Sequence, residues 1–226
     1  MLSVVDAIAD DLRRSVLTGE YAPGVALTEA DVAARYEVAR ATAKASIEKL
    51  VAERVLVRST HKTARVVQLG PEDVRDIYLS RAFLESEVLR RLAARALVPD
   101  AARVANEEIR RRWEASSYDI VDPDMDFHTA LIDALDSERT SSIYRSLASE
   151  VKLCMSQVQG RQLLSPGIIA AEHELLLHHL AAGRPAAAAA LLDEHLARAR
   201  ELLAEALGGI AGPEATRPST ALGQSQ

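Results

Sequence analysis

TEADVAARYEVARATAKASIEKLVAERVLVRSTHKTARVV, residues 28–67, is the stretch that decides the fold. Thr28, with Asp31 three residues on, is a start signal for a short helix whose apolar side is Val32, Ala33 and Tyr36. Glu37, Val38 and Ala39 form a turn. Ala43, Ile47, Leu50 and Val51 then recur at helical spacing in a second helix over 40–53, which leaves Arg40, Lys44 and Lys49 available to solvent. Two short runs rich in valine, 55–58 and 64–67, enclose the polar segment 59–63, with His61 and Lys62 at its tip; this predicts a hairpin. Helix, turn, helix and hairpin together predict a winged helix-turn-helix, with the second helix as the element that reads a groove and the hairpin as the wing.

Charge agrees with that pattern. Positions 35, 40, 44, 49, 54, 58, 62 and 65 are Lys or Arg, while only Glu37, Glu48 and Glu53 oppose them, a local excess of +5 in a chain whose net charge is -6. Contact with a phosphate backbone needs this asymmetry, because bound cations must displace condensed counterions without being cancelled by neighbouring acids. The expected contacts to double-stranded DNA are Arg35, Arg40, Thr42, Lys44, Lys49 and Lys62.

Upstream, Val4, Ile8, Leu12 and Val16 predict one amphipathic helix that stops near Gly19, followed by a turn over 21–24 that leads to Leu27. Downstream, the strand pattern ends at Leu69-Gly70-Pro71, and Pro71 suits the first turn of a new helix. A domain boundary is expected there, between a DNA-binding domain over 1–69 and a second domain over 70–207. In the second domain helical periodicity is broken near Pro99, over 117–119, at Asp136-Ser137, at Pro166 and at Pro185, which predicts a mainly α fold with about six helices in a bundle. The residues 208–226, rich in Gly, Pro, Ser, Thr and Gln, are expected to be a disordered tail.

The composition of the 226 residues, 48% hydrophobic but 4% aromatic, suits two domains with aliphatic cores. A single cysteine, Cys154, excludes an internal disulfide and any multi-cysteine zinc site and reads as a small core residue in a reducing compartment. No signal-peptide pattern opens the chain, and no apolar run approaches the roughly 18 residues of a membrane span. A cytoplasmic protein is therefore expected.

Three histidines of the helical half fall on apolar stripes. His128 lies four residues after Asp124, on one helix face with Leu131 and Leu135. His173 aligns with Ile169, Leu176 and Leu180, and His195 with Ala188 and Leu191. A lone histidine in such a place is usually a hydrogen-bonded core residue. Three on separate helices, with one carboxylate, suit a divalent metal of borderline softness such as zinc or nickel. Asp122 and Asp126 are poorer partners for His128, and His178 and His179 read as surface or helix-end residues. Arg81 shares a stripe with Ile77, Leu84 and Val88; it either snorkels outward or pairs with Glu85 or Glu87, or else clamps a ligand carboxylate. Trp113 reads as a core or dimer contact.

The order of these parts resembles the GntR family of bacterial transcription regulators, in its FadR-like branch with an all-helical FCD effector domain. The residues that carry the resemblance are 25–29, Val32-Ala33 and 38–45 in the first half, and 78–85, 124–128, His173 and His195 in the second. The resemblance implies that Asp124, His128, His173 and His195 hold the metal, that a small organic acid or related metabolite binds beside it, and that the chain forms a homodimer through its helical domain. Ala39 stands where the family usually has Ser, Lys44-Ala45 where it has Arg-Glu, and Val55 where it has Gly. The expected function is a DNA-binding regulator, most often a repressor, whose metabolite changes the spacing of two DNA-reading heads. The alternatives are a metal-dependent enzyme using the Asp/His set and a regulator with a purely structural metal.

Overall fold

The computed structural model describes residues 3–209 except 60, 61, 113, 115, 117, 118, 159, 160 and 162. His61, Trp113 and the tail from 210 onward lie outside the described residues. The chain divides into two compact units, Met1–Leu69 and Gly70–Gln226.

The first unit runs α1 (Val4–Leu17), β1 (Ala26–Leu27), α2 (Glu29–Tyr36), α3 (Arg40–Ala52), β2 (Leu56–Val57) and β3 (Ala64–Val66). Ser3 caps α1 in a reciprocal box with Asp6, and the Thr28 side chain accepts from the Asp31 amide at the start of α2, so two of the three helices begin with orphan N–H groups satisfied. The third does not: Ala39 sits at the N-cap of α3 with no side chain to offer. Helices α1 and α2 both pack on α3, burying Leu12, Val32, Ile47 and Leu50. Buried Ser46 donates to the carbonyls of Val5, 3.2 Å, or Thr42, 3.1 Å, so its hydroxyl is satisfied where α1 crosses α3.

The wing is larger than a hairpin. The strands pair antiparallel in the order β1-β3-β2, with Leu27 opposite Ala64 and Leu56 opposite Val66. The segment expected only to turn into Leu27 thus supplies a third strand, joined further by the Gly24 amide to the Val66 carbonyl at 2.9 Å. Two residues are too few for an alternating pattern to announce a strand. Val51, expected to be core, is half-buried.

The second unit is built from α4 (Pro71–Ala94), α5 (Asp100–Arg111), α6 (Val121–Asp133), α7 (Glu138–Gln157), α8 (Pro166–Ala181) and α9 (Pro185–Ala206), the six helices of its described residues. Prolines at the first positions of α4, α8 and α9 fall where a missing N–H costs nothing. The longest pairing is α4 along α9; α4 also meets α6, α7 and α8, while α5 lies against α6 and α8. The interior is aliphatic, with Leu89, Leu92, Ile132, Leu176 and Leu192 fully buried, and Cys154 among the buried residues of α7. Among the described residues no helix is long and apolar enough to cross a membrane.

Candidate functional site

The amphipathic register of α6, α8 and α9 turns three imidazoles and one carboxylate toward a common point. Asp124, His128, His173 and His195 each offer a ligand atom, and these atoms all lie within 4.8 Å of one another. The four residues singled out in the sequence are therefore brought together. Asp122 is not part of the group: its carboxylate is 72% exposed and pairs with Lys152 at 2.7 Å. Asp126 is exposed, as is His178, while His179 is half-buried.

The arrangement leaves buried polar atoms unmatched. Asp124 Oδ1 lies 3.5 Å from His173 Nε2 and 4.0 Å from His128 Nε2, and none of these three buried atoms has a hydrogen-bond partner among the described residues. Buried polar atoms without partners are expensive, and convergent lone pairs are what a cation would satisfy. Burial lowers the pKa of His128, partly offset by Glu85, and pushes His173 well below the usual imidazole range, with His195 and His128 adding to the effect. Neutral rings are the form in which imidazole ligates.

Each ring is steadied from its far side. His128 Nδ1 lies 2.6 Å from Glu85 Oε2. Nδ1 of His195 is 2.8 Å from Glu172 Oε2, an oxygen that also takes a hydrogen bond from Arg198. His173 is stacked on Phe127, ring centroids 3.6 Å apart and planes 5° from parallel.

Arg81 is 1% exposed, and its Nε donates to Glu85 Oε1 at 2.8 Å. The Tyr144 hydroxyl donates to the same oxygen at 2.7 Å. Burial alone would raise the Glu85 pKa, but Arg81, then His128 and Tyr144, hold it well below the carboxylate range. The guanidinium sits 4.9 Å from the Tyr78 ring centroid, and its Nη2 is buried without a hydrogen-bond partner among the described residues. Both possibilities for Arg81 thus have a footing: one nitrogen is paired within the bundle and another is not.

Sequence reasoning missed Glu172 and Tyr144 and weighed Glu85 only as a partner for Arg81. A signal for Glu172 was present, since it lies three residues after Ile169 and four before Leu176, on their buried stripe.

In the first unit the expected DNA contacts separate into two groups. Arg40, Lys44 and Lys62 are exposed and make no ion pair among the described residues, and Thr42 is half-buried in the first turn of α3. Lys49, expected to be available to solvent, has a side chain 38% exposed and is paired with Asp6 at 2.7 Å because α1 brings that carboxylate alongside α3. Arg35 is likewise engaged, by Glu20 at 2.8 Å, by the Tyr21 hydroxyl at 2.7 Å and by Asp11 at 3.7 Å.

Comparison with known proteins places both units. The model for bacterial regulatory proteins of the gntR family matches residues 4–66, and the FCD domain model matches residues 76–198. The chain is 27% identical over 154 residues to the HTH-type transcriptional regulator BphR of Paraburkholderia xenovorans (strain LB400), a match covering 61% of this chain and 60% of that protein. It is 26% identical to the gluconate operon transcriptional repressor of Bacillus subtilis (strain 168) over 62% of this chain and 58% of the repressor. The chain thus spans about three-fifths of the length of these curated relatives. Among solved structures, a GntR transcriptional regulator from Rhodococcus sp. RHA1 shares the fold with a TM-score of 0.77 at 24% identity, covering 92% of this chain and all of that one. With a reading head and a helical effector domain both matched, this chain belongs to the GntR family of bacterial regulatory proteins, in the branch that carries an FCD domain.

Proposed function

We propose that the chain is a DNA-binding transcriptional repressor whose helical domain holds a divalent metal and, beside it, a small carboxylate that modulates DNA binding. The observation that carries the sensory half is the convergence of Asp124, His128, His173 and His195 within 4.8 Å, with buried lone pairs left unmatched. Three imidazoles and one carboxylate suit zinc or nickel, and a divalent ion bound there would offer an electrophilic site to a ligand oxygen. Arg81 Nη2 is the group suited to pair with that ligand's negative charge. The relative named for repression of a gluconate operon supports the sign of regulation.

The DNA half rests on Arg40, Lys44 and Lys62, whose charges are exposed on α3 and in the segment before β3. Two such heads in a homodimer would meet half-sites about one helical turn, roughly 34 Å, apart. The reading places the protein in the cytoplasm with an operator as its partner. A purely structural metal is the second reading, favoured by the Arg81–Glu85 pair, which already occupies part of the guanidinium.

Two linked measurements test this. Elemental analysis of purified protein should return about one zinc or nickel per chain, lost in the double variant His173→Ala, His195→Ala; unchanged metal in that variant refutes the ligand set. A gel shift on the DNA upstream of the gene should show a complex that weakens with salt and with an added carboxylate. Arg81→Lys keeps the charge but not the fork, so equal carboxylate affinity in that variant assigns Arg81 to packing and favours the structural metal.

A further inference from the structure

We infer that Glu172 is a positioning residue for the metal centre: it holds the Nδ1 proton of His195, so that the Nε2 lone pair is presented to the other three ligands. This inference rests on the metal reading of that cluster. Glu172 and His173 are neighbours on α8, so this helix would supply one ligand directly and orient a second ligand carried by α9.

Four observations carry the inference. The Glu172 side chain is fully buried, where its oxygens must find donors within the protein. One of its oxygens lies 2.8 Å from His195 Nδ1, and Arg198 donates to that same oxygen. The guanidinium can only donate, so this oxygen accepts from Arg198, and as a carboxylate oxygen it is suited to accept from Nδ1 as well. With Nδ1 carrying the hydrogen, Nε2 of a neutral ring is the atom left to bind an ion. A carboxylate behind a ligating histidine fixes the tautomer and ring angle and increases the basicity of the ligand, and its loss typically costs roughly 10–100-fold in metal affinity. The three rings are not held alike. His128 has the Glu85 carboxylate 2.6 Å behind it, whereas His173 is stacked on Phe127.

A merely structural role for Glu172 is also available, because its pair with Arg198 ties α8 to α9. The experiment separates the two. Zinc affinity is measured on the full-length metal-stripped protein by competition with a chelating dye, for the native chain, Glu172→Gln, Arg198→Gln and His173→Ala. In the same metal-free samples the His195 tautomer is read from its ring nitrogen shifts by 15N NMR at neutral to mildly alkaline pH. The expected result is an Nδ1–H tautomer in the native protein and in Arg198→Gln, loss of that single tautomer in Glu172→Gln, and a zinc affinity about tenfold weaker in Glu172→Gln than in Arg198→Gln. Equal losses in Glu172→Gln and Arg198→Gln, or an Nε2–H tautomer in the native protein, overturn the positioning role. If His173→Ala binds zinc as tightly as the native chain, the metal reading itself fails. Circular dichroism on every variant removes any that has unfolded, in which case Glu172→Asp replaces Glu172→Gln and must show the same tautomer change.

Discussion

Replacing Lys44 by Ala should weaken operator binding through salt-dependent electrostatics alone, whereas replacing Lys49, five residues further along the same helix, should not. Lys44 is exposed on α3 with no ion pair among the described residues, while Lys49 already spends its charge on Asp6 at 2.7 Å. Each phosphate neutralised contributes about 0.9 to the slope of log K against log salt, so one lost contact per head removes about 1.8 from the two-headed complex of the proposed homodimer. If the contact is worth nothing at 1 M salt, that slope corresponds to roughly eightfold weaker binding per head at 0.1 M, about 1.2 kcal/mol, and about 60-fold for two heads. Alanine is the best helix former, so α3 itself should be unharmed. In Lys49→Ala the lost pair is more than one-third exposed on both sides, which limits its effect to a small loss of stability. Titrating labelled operator by fluorescence anisotropy from 50 to 300 mM salt gives both slopes. A Lys49→Ala slope as flat as that of Lys44→Ala would refute the division between free and committed cations.

Three further outcomes follow from single contacts. The Lys49 and Ser3 hydrogen bonds hold the Asp6 carboxyl down at about 2, below its ordinary value of 3.8. Because the folded pKa is the lower one, this contribution is present above about pH 4 and is lost as pH falls toward 2. Asp6→Asn should therefore remove part of the acid sensitivity of the far-UV signal in that window, and an unchanged acid titration would contradict the assignment. Cys154 is wholly buried, and its thiol is pushed up to about 12 by burial, then by Glu150 and Asp73. At pH 8 an aromatic disulfide reagent should leave it unreacted in the native protein and titrate about one thiol per chain in guanidinium; rapid native labelling would show the α7 core to be open. Ala96, exposed just beyond α4, has φ 47°. A left-handed residue with a Cβ costs about 1–2 kcal/mol, of which glycine gives back about 0.4–1 in unfolded-state entropy, so Ala96→Gly should stabilise by about 0.5–1 kcal/mol and raise Tm by roughly 2 °C. A lower Tm would mean the strain is not there.

What was legible in the sequence was whatever repeats with a helical period. Val4, Ile8, Leu12 and Val16 announced α1, and Ile169, His173, Leu176 and Leu180 announced both the buried face of α8 and the candidate ligand that shares it. The four-residue step from Asp124 to His128 was enough to place both on one face of α6. What periodicity could not supply was partners distant in the chain. Asp6 and Lys49 are 43 residues apart, so no spacing rule pairs them. The same limit hid Tyr144, which reaches Glu85 across 59 residues. Strand β1 escaped for a different reason, since its two residues acquire extended form only through pairing with Ala64 and Arg65.

The group formed by Arg81, Glu85, His128 and Tyr144 is hard to explain as a device for stability. Each of these side chains is 2% exposed or less. Desolvating an Arg–Glu pair costs as much as the attraction returns, and apolar residues of similar volume are often better by about 1–4 kcal/mol. What the group does achieve is connection. One carboxylate on α4 receives Arg81 Nε and the Tyr144 hydroxyl of α7 on its first oxygen and faces His128 Nδ1 of α6 with its second. On the proposed function, the ion acts on His128 and the effector carboxylate on Arg81, and both act through Glu85. Whatever free energy couples the two ligands must be reciprocal: the factor by which the metal raises carboxylate affinity is the factor by which the carboxylate raises metal affinity. On the proposed function, a buried acid shared by His128 and Arg81 is therefore better understood as the linkage between two binding events than as a brace between three helices.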